Sequence, residues 1–204
     1  AAANCHQRNT VRIPSRKVLA EDKIYRYGDV VALAVADTKE HARAAAAKVK
    51  VEIEKLPEYL NFLDAAMPDA MRIHEDTPNI FCKQPVLKGA GLEEPSKVAA
   101  IIDAASYSVE GSFYSSREPH LSIEGDSVQA YFDEDGFLTF QCKSQGVYSS
   151  ISRIGTCLGV PTSKLRVMMN PTGASFGWST NAGDLCLAGA AAVVMQAPVA
   201  LSMS

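Results

Sequence analysis

No stretch of this chain approaches the roughly 18 consecutive apolar residues of a membrane-spanning helix, so no membrane partner is expected. Nor is there an excess of basic charge. Lys and Arg number 20 against 23 Asp and Glu, a net charge of −3, which argues against a nucleic-acid surface. No Cys-x-x-Cys occurs, and the five cysteines (Cys5, Cys82, Cys142, Cys157, Cys186) show no pairing with one another or with histidine at zinc spacing. Odd in number and far apart, they read as buried, reduced thiols in a reducing, cytoplasmic compartment. No internal repeat is visible. The start, AAANCHQRN, shows no signal-peptide pattern and no initiator methionine, so this end is expected to be one made by processing or by design.

What is present suits a globular protein. The 204 residues are 47% hydrophobic and 21% charged, enough apolar material for a sizeable core in one or two domains. The run VVALAVA over residues 30–36 reads as a buried strand. Asp37, with Glu40 three positions on, reads as a capping-box start for an Ala-rich helix over 38–48. The alternating VKVEI over 49–53 reads as a half-buried strand. Together they predict a compact strand–helix–strand unit, ended by Leu56-Pro57 and of scaffold character. KGAGLEEPS over 88–96 reads as an exposed connection, which puts a domain boundary near residues 85–100.

Beyond it, residues 97–105 predict a short helix and 107–114 and 128–132 predict strands. Asp133-Glu134-Asp135-Gly136 is a hairpin turn that returns a strand over 137–142. Residues 147–158 have helical spacing with Gly159 as the stop. LRVMM over 165–169 is a short strand. NAGDLCLAGAAAVVM over 181–195 is apolar on most sides, the mark of a buried helix. Pro198 ends it, and another strand opens at Val199.

Between the strand over 165–169 and the buried helix lies NPTGASFGWS. Asn170-Pro171 and Gly173 permit a turn. Ala174, Ser175 and Gly177 keep side chains small, so backbone N–H groups can approach something bulky and polar.

In this order the sequence resembles the xanthine dehydrogenase / aldehyde oxidase family of molybdenum hydroxylases, bacterial aldehyde oxidoreductase branch. Three segments carry the resemblance. Residues 22–57, DKIYRYGDVVALAVADTKEHARAAAAKVKVEIEKLP, are similar to the family's hammerhead domain. Residues 118–124, EPHLSIE, are similar to its H-x-x-x-E-P segment. Residues 173–178, GASFGW, are similar to its G-G-x-F-G loop.

The resemblance implies an α+β fold class. An α/β hammerhead-type layer over 1–85, incomplete at its N-terminus, would precede the first part of a mixed α/β molybdopterin-binding domain over 100–204, incomplete at its C-terminus. It implies that Gln145 hydrogen-bonds the apical oxo ligand of molybdenum. It also implies that Phe176 and Gly177 are cofactor-binding, lying beside the molybdenum centre with the Gly177 N–H approaching the cofactor, and that Phe176, Trp178 and Thr180 border the substrate pocket. In xanthine-oxidising relatives the position of Thr180 carries a glutamate that binds purine, so an aldehyde substrate is favoured here. No catalytic residue and no metal ligand is assigned. The family's general base lies in segments not found in these 204 residues.

Glu118, His120 and Glu124 share even parity, but Gly125 interrupts the pattern. They are expected to serve structural hydrogen bonding near the cofactor domain. Three positions depart from the family pattern: Ala174 for the second loop glycine, Ser179 for the lysine after Phe-Gly-x, and Gly125 for the proline after Glu124.

The implied cofactor of the complete parent is molybdopterin as a dinucleotide, with iron–sulfur clusters on other segments or chains and none retained by this chain alone. The implied function is that of a fragment or subunit of a molybdenum-dependent aldehyde oxidoreductase, which hydroxylates an aldehyde or related carbon with water-derived oxygen. Its partners would be the remaining domains or subunits of the parent. The alternative is a non-catalytic structural or assembly module of a split or truncated hydroxylase.

Overall fold

The computed structural model describes residues 17–82, 94–116 and 118–203. They fall into two compact units. The smaller lies within residues 60–119. Its first helix, α2 (Phe62–Ala65), starts where the Asn61 side chain accepts from the Leu63 N–H, an N-cap. Asn79 ties the following turn together: its Oδ1 accepts from Ile73 N, and its Nδ2 donates to the carbonyls of Ala65 and Met71. Helix α3 (Pro95–Asp103) has proline in its first turn, where the missing N–H costs nothing. The strand expected over 107–114 does not form.

The larger unit takes residues up to 59 together with 120 onward. It begins with helix α1 (Lys39–Ala46), whose N-cap is Thr38: its hydroxyl accepts from His41 N at 3.1 Å. The expected cap, Asp37, instead pairs with the His41 ring. The strands expected over 30–36 and 49–53 are not assigned. β-Branched side chains favour a strand through cross-strand partners and a covering layer. The one sheet among the described residues has no member from either segment, and Val31, Leu33, Val35, Val49, Val51 and Ile53 all remain exposed.

The rest of this unit is a mixed four-stranded sheet in the order β3-β2-β1-β4. Strands β1 (Ser127–Phe132) and β2 (Leu138–Cys142) pair antiparallel, with Phe132 opposite Leu138. Asp133 makes the turn between them. Its Oδ1 accepts from Asp135 N and Phe137 N, and its Oδ2 from the Thr139 hydroxyl and Arg166. Gly136 takes φ +77°. Burial pulls the Asp133 pKa upward. The Phe137 N–H, the Thr139 hydroxyl and Arg166 outweigh it and leave the carboxyl below its ordinary value of 3.8.

Helix α4 (Val147–Leu158) leaves β2 and stops at Gly159 in a left-handed conformation, as the spacing predicts. It leads to β3 (Leu165–Met169), parallel to β2. Helix α5 (Gly183–Met195) buries Leu185, Cys186, Leu187, Ala188, Ala191 and Ala192. Strand β4 (Val199–Ser202) then pairs antiparallel with β1. Both helices pack on the sheet and on each other. The core is the even-numbered face of β1 and β2 (Val128, Ala130, Leu138, Phe140, Cys142) set against Ile154 of α4 and Leu185, Cys186 and Ala188 of α5. This period-2 face meeting helical faces is a helix-on-sheet layer.

The cysteines follow this packing in part. Cys142 and Cys186 are buried, Cys157 is half-buried and Cys82 is exposed. Burial pushes the Cys142 thiol up to about 11. It pushes Cys186 up as well, with the neighbouring Cys157 adding to the effect. Cys5 lies outside the described residues.

Candidate functional site

The sheet positions two segments side by side at one end. Strand β2 runs out at Cys142 into Lys143-Ser144-Gln145 before α4. Strand β3 runs out at Met169 into the glycine-bearing loop. The parallel ladder carries on past both strands. Asn170 N donates to Cys142 O at 2.8 Å, and Gln141 Nε2 donates to Asn170 Oδ1 at 3.2 Å. The two exits therefore stay in register.

Ser175 joins them. It is buried, and its hydroxyl donates to Gln145 Oε1 at 3.0 Å while accepting from Ser179 N at 2.8 Å. Gln145 N donates to Ser179 O at 3.2 Å. Between Ser175 and Ser179 the chain makes a tight turn, closed by Trp178 N donating to Ser175 O at 3.0 Å. Its two central residues are left-handed: Phe176 at φ +49° and Gly177 at φ +91°. That is the backbone in which Asn-Gly is favoured. Phe176 sits there with 76% of its surface exposed.

Thr180 spends its hydroxyl on Gly177 O at 2.6 Å, and its own carbonyl accepts from Arg153 Nη1 of α4 at 2.6 Å. Trp178 is half-buried and meets the edge of the His120 ring, centroids 5.5 Å apart. The turn is thus held from both ends, with the Phe176 ring at its tip.

Below this turn lies a group that the spacing of residues does not reveal. Glu124 Oε2 accepts from Gly173 N and Ala174 N, both at 2.7 Å. Lys143 Nζ donates to Ala174 O at 2.9 Å and Glu124 O at 3.2 Å, and lies 3.0 Å from Asp126 Oδ1. The Ser179 hydroxyl donates to the other side of the cluster, Asp126 Oδ1 at 3.3 Å. The Ala174 N–H, more than that of Gly173 or the nearby Lys143 charge, holds the Glu124 carboxyl below its ordinary value of 4.5. Glu124 therefore has a structural hydrogen-bonding role, as expected. Glu118 takes a hydrogen bond from Ser116. The chain from 118 to 124 is not a strand, and Leu121 takes φ +39°, so shared parity does not put the three residues on one face.

All five residues singled out as site candidates come together: Gln145 directly through Ser175 and Ser179, and Phe176, Gly177, Trp178 and Thr180 in the turn itself. Lys143, Asp126 and Arg153 were not legible as part of it, and Ser175 was read only as a small loop residue. The one signal for Lys143 was a pair of nearby acids, Glu124 and Asp126, with no basic neighbour in sequence.

The donors left over define what the turn could hold. With Oε1 taken by Ser175, Gln145 Nε2 has no partner among the described residues, and neither have the N–H groups of Phe176 and Gly177. A Cβ added at Gly177 would meet nothing within 4 Å, so space beside it is open. Unspent neutral donors next to open space fit an oxygen-rich, anionic group.

The mixed sheet is that of a molybdopterin cofactor-binding domain. The sequence profile of that domain matches residues 73–204, and that of the "Aldehyde oxidase and xanthine dehydrogenase, a/b hammerhead domain" matches residues 2–57. The chain belongs to the xanthine dehydrogenase and aldehyde oxidase family. It is 38% identical over 186 residues to the aldehyde oxidoreductase of Megalodesulfovibrio gigas, covering 91% of this chain and 20% of that protein. It is 28% identical over 174 residues to the nicotinate dehydrogenase large molybdopterin subunit of Eubacterium barkeri, covering 85% of this chain and 39% of that one. The crystal structure of the aldehyde oxidoreductase from Desulfovibrio desulfuricans superposes with a TM-score of 0.79 at 34% identity, over 91% of this chain and 20% of that one. The chain thus spans a fifth to two fifths of the length of these relatives. No described helix is long and apolar enough to cross a membrane, and no described group of His, Cys, Asp and Glu could hold a metal ion.

Proposed function

We propose that this chain supplies one wall of the molybdenum pocket in a molybdenum-dependent aldehyde oxidoreductase, of which it is a fragment or subunit. Its parts would be a hammerhead-like region over 1–85 and the first part of the molybdopterin domain over 100–204. The profile matches to residues 2–57 and 73–204 support that order. The parent is assigned to the cytoplasm. It would bind the pterin as a dinucleotide and hold its iron–sulfur clusters on other segments or chains.

One observation carries the reading. Gln145 and the 175–180 turn are hydrogen-bonded to each other, yet each keeps a donor unspent. In this reading the Gln145 amide and the Gly177 N–H hold the cofactor's oxygen side without adding charge. Phe176 offers its exposed face to substrate, and Trp178 and Thr180 close the pocket behind it. When bound, the cofactor supplies the redox centre at which an aldehyde or related carbon takes oxygen from water. Thr180, with its hydroxyl committed to Gly177 O, offers no carboxylate to a purine, in keeping with an aldehyde.

The test is metal content in the complete enzyme. Gly177→Val and Gln145→Ala are expected to lower molybdenum occupancy, and full occupancy in both would remove the turn from the pocket. A second reading, a non-catalytic assembly module, is favoured by a different observation. Two carboxylates beside the turn are committed, Glu124 to loop amides and Asp126 to Lys143 and Ser179. Neither of these two is left free as a base. Molybdenum retained by the isolated chain would count against that second reading.

A further inference from the structure

A buried lysine is costly unless every N–H of its ammonium is met. Lys143 is buried, with 5% of its side chain exposed, and its three donors reach three oxygens on two segments far apart in sequence, the stretch leading into β1 and the glycine-bearing loop. Asp126 Oδ1 and Glu124 O belong to the first, and Ala174 O to the second. Lys143 itself stands two residues before Gln145. Ala174 stands immediately before Ser175, whose hydroxyl holds the Gln145 amide. The ammonium is therefore a fixed point between the two segments that carry the candidate site. Glu124 doubles the grip, since its side chain takes the N–H groups of Gly173 and Ala174 while its carbonyl takes Lys143.

We propose that Lys143 is a positioning residue, whose three-point contact with Asp126, Glu124 and Ala174 sets the placement of the 173–180 turn relative to Gln145. Its consequence for cofactor and substrate rests on that turn being a wall of the molybdenum pocket. The placement itself does not.

The chain contains one tryptophan, Trp178, and it lies in the turn, so its fluorescence reports there alone. Lys143→Met keeps the length of the side chain and removes the donors. With the far-UV circular dichroism unchanged, acrylamide quenching of Trp178 is expected to rise about twofold, as when a held loop opens locally. Lys143→Arg is expected to behave like Lys143→Met, because a planar fork does not offer three donors converging from one point.

Unchanged quenching in a folded Lys143→Met variant would overturn the inference. So would full restoration by arginine, which would show that a positive charge suffices. Should Lys143→Met fail to fold, Glu124→Ala decides. Together with Asp126→Ala, which removes the one side-chain oxygen that meets the ammonium, it loosens the same cluster without touching Lys143, and unchanged quenching in both variants overturns the inference equally.

In the complete enzyme, Lys143→Met is expected to raise KM and lower molybdenum content together. A loosened Trp178 at unaltered molybdenum content and kinetics would uphold the positioning role and overturn the assignment of the turn to the pocket.

Discussion

Phe176 holds a left-handed backbone that costs a bulky L-residue on the order of 1–2 kcal/mol, while three quarters of its surface lies in solvent. Packing within this unit does not repay that cost. Phe176→Asn is therefore expected to stabilise the folded chain by about 1 kcal/mol, because asparagine tolerates this conformation; a urea midpoint that falls would contradict it. In the complete enzyme, Phe176→Ala is expected to lower kcat/KM at near-normal molybdenum content. A gain in stability joined to a loss in substrate handling is the signature of strain kept for use.

Acid sensitivity belongs to the same scale. Glu124 and Asp133 both titrate below their ordinary values of 4.5 and 3.8. The unfolded chain therefore binds more protons than the folded one in this range. The stability they contribute is complete above about 4.5 and is lost as pH falls through the lower folded values. Glu124→Gln should flatten the decline between pH 5 and pH 3, read as the urea midpoint against pH. An unaltered profile would mean that the loop amides do not hold this carboxylate.

At the scale of the element, α5 shows how closely the layer is packed. Gly189 faces β2, and a Cβ there would fall 2.8 Å from Phe140 Cζ and 2.8 Å from Leu158 Cδ1. Alanine is the better helix former by up to about 1 kcal/mol. Gly189→Ala is nonetheless expected to destabilise by about 1–3 kcal/mol through overpacking, measured by chemical denaturation. The helices and strands from 127 to 202 were largely legible, because each carries its own signal. The period-2 core face of β1 and β2, the αL stop at Gly159 and the apolar run of α5 are all local facts. The strands expected over 30–36, 49–53 and 107–114 were not found, because a strand is completed by a neighbour that its own residues do not specify. The site divides the same way. Phe176 and Gly177 were legible from a loop motif. Lys143 was not, since its three oxygens come from residues well removed from it in sequence on either side and no local pattern marks a lysine as buried.

For the whole molecule, the isolated chain is expected to show no aldehyde oxidation with artificial electron acceptors, since Glu124 and Asp126 beside the turn are committed to holding it. Turnover at stoichiometric molybdenum would refute this. The strand order carries a consequence for how the chain reaches this state. Strands β1, β2 and β3 with α4 are neighbours in sequence, and their contacts close short loops. Strand β4 enters the other edge and pairs Val128 with Leu201, the longest-range ladder of the sheet. Closing so long a loop carries an entropic cost before any contact repays it. Nascent chains should therefore protect the amides of β1 and β2 early, leaving the outer edge of β1 open until α5 and β4 have been made. In pulse-labelling hydrogen exchange, the edge facing β4 would be the last to close.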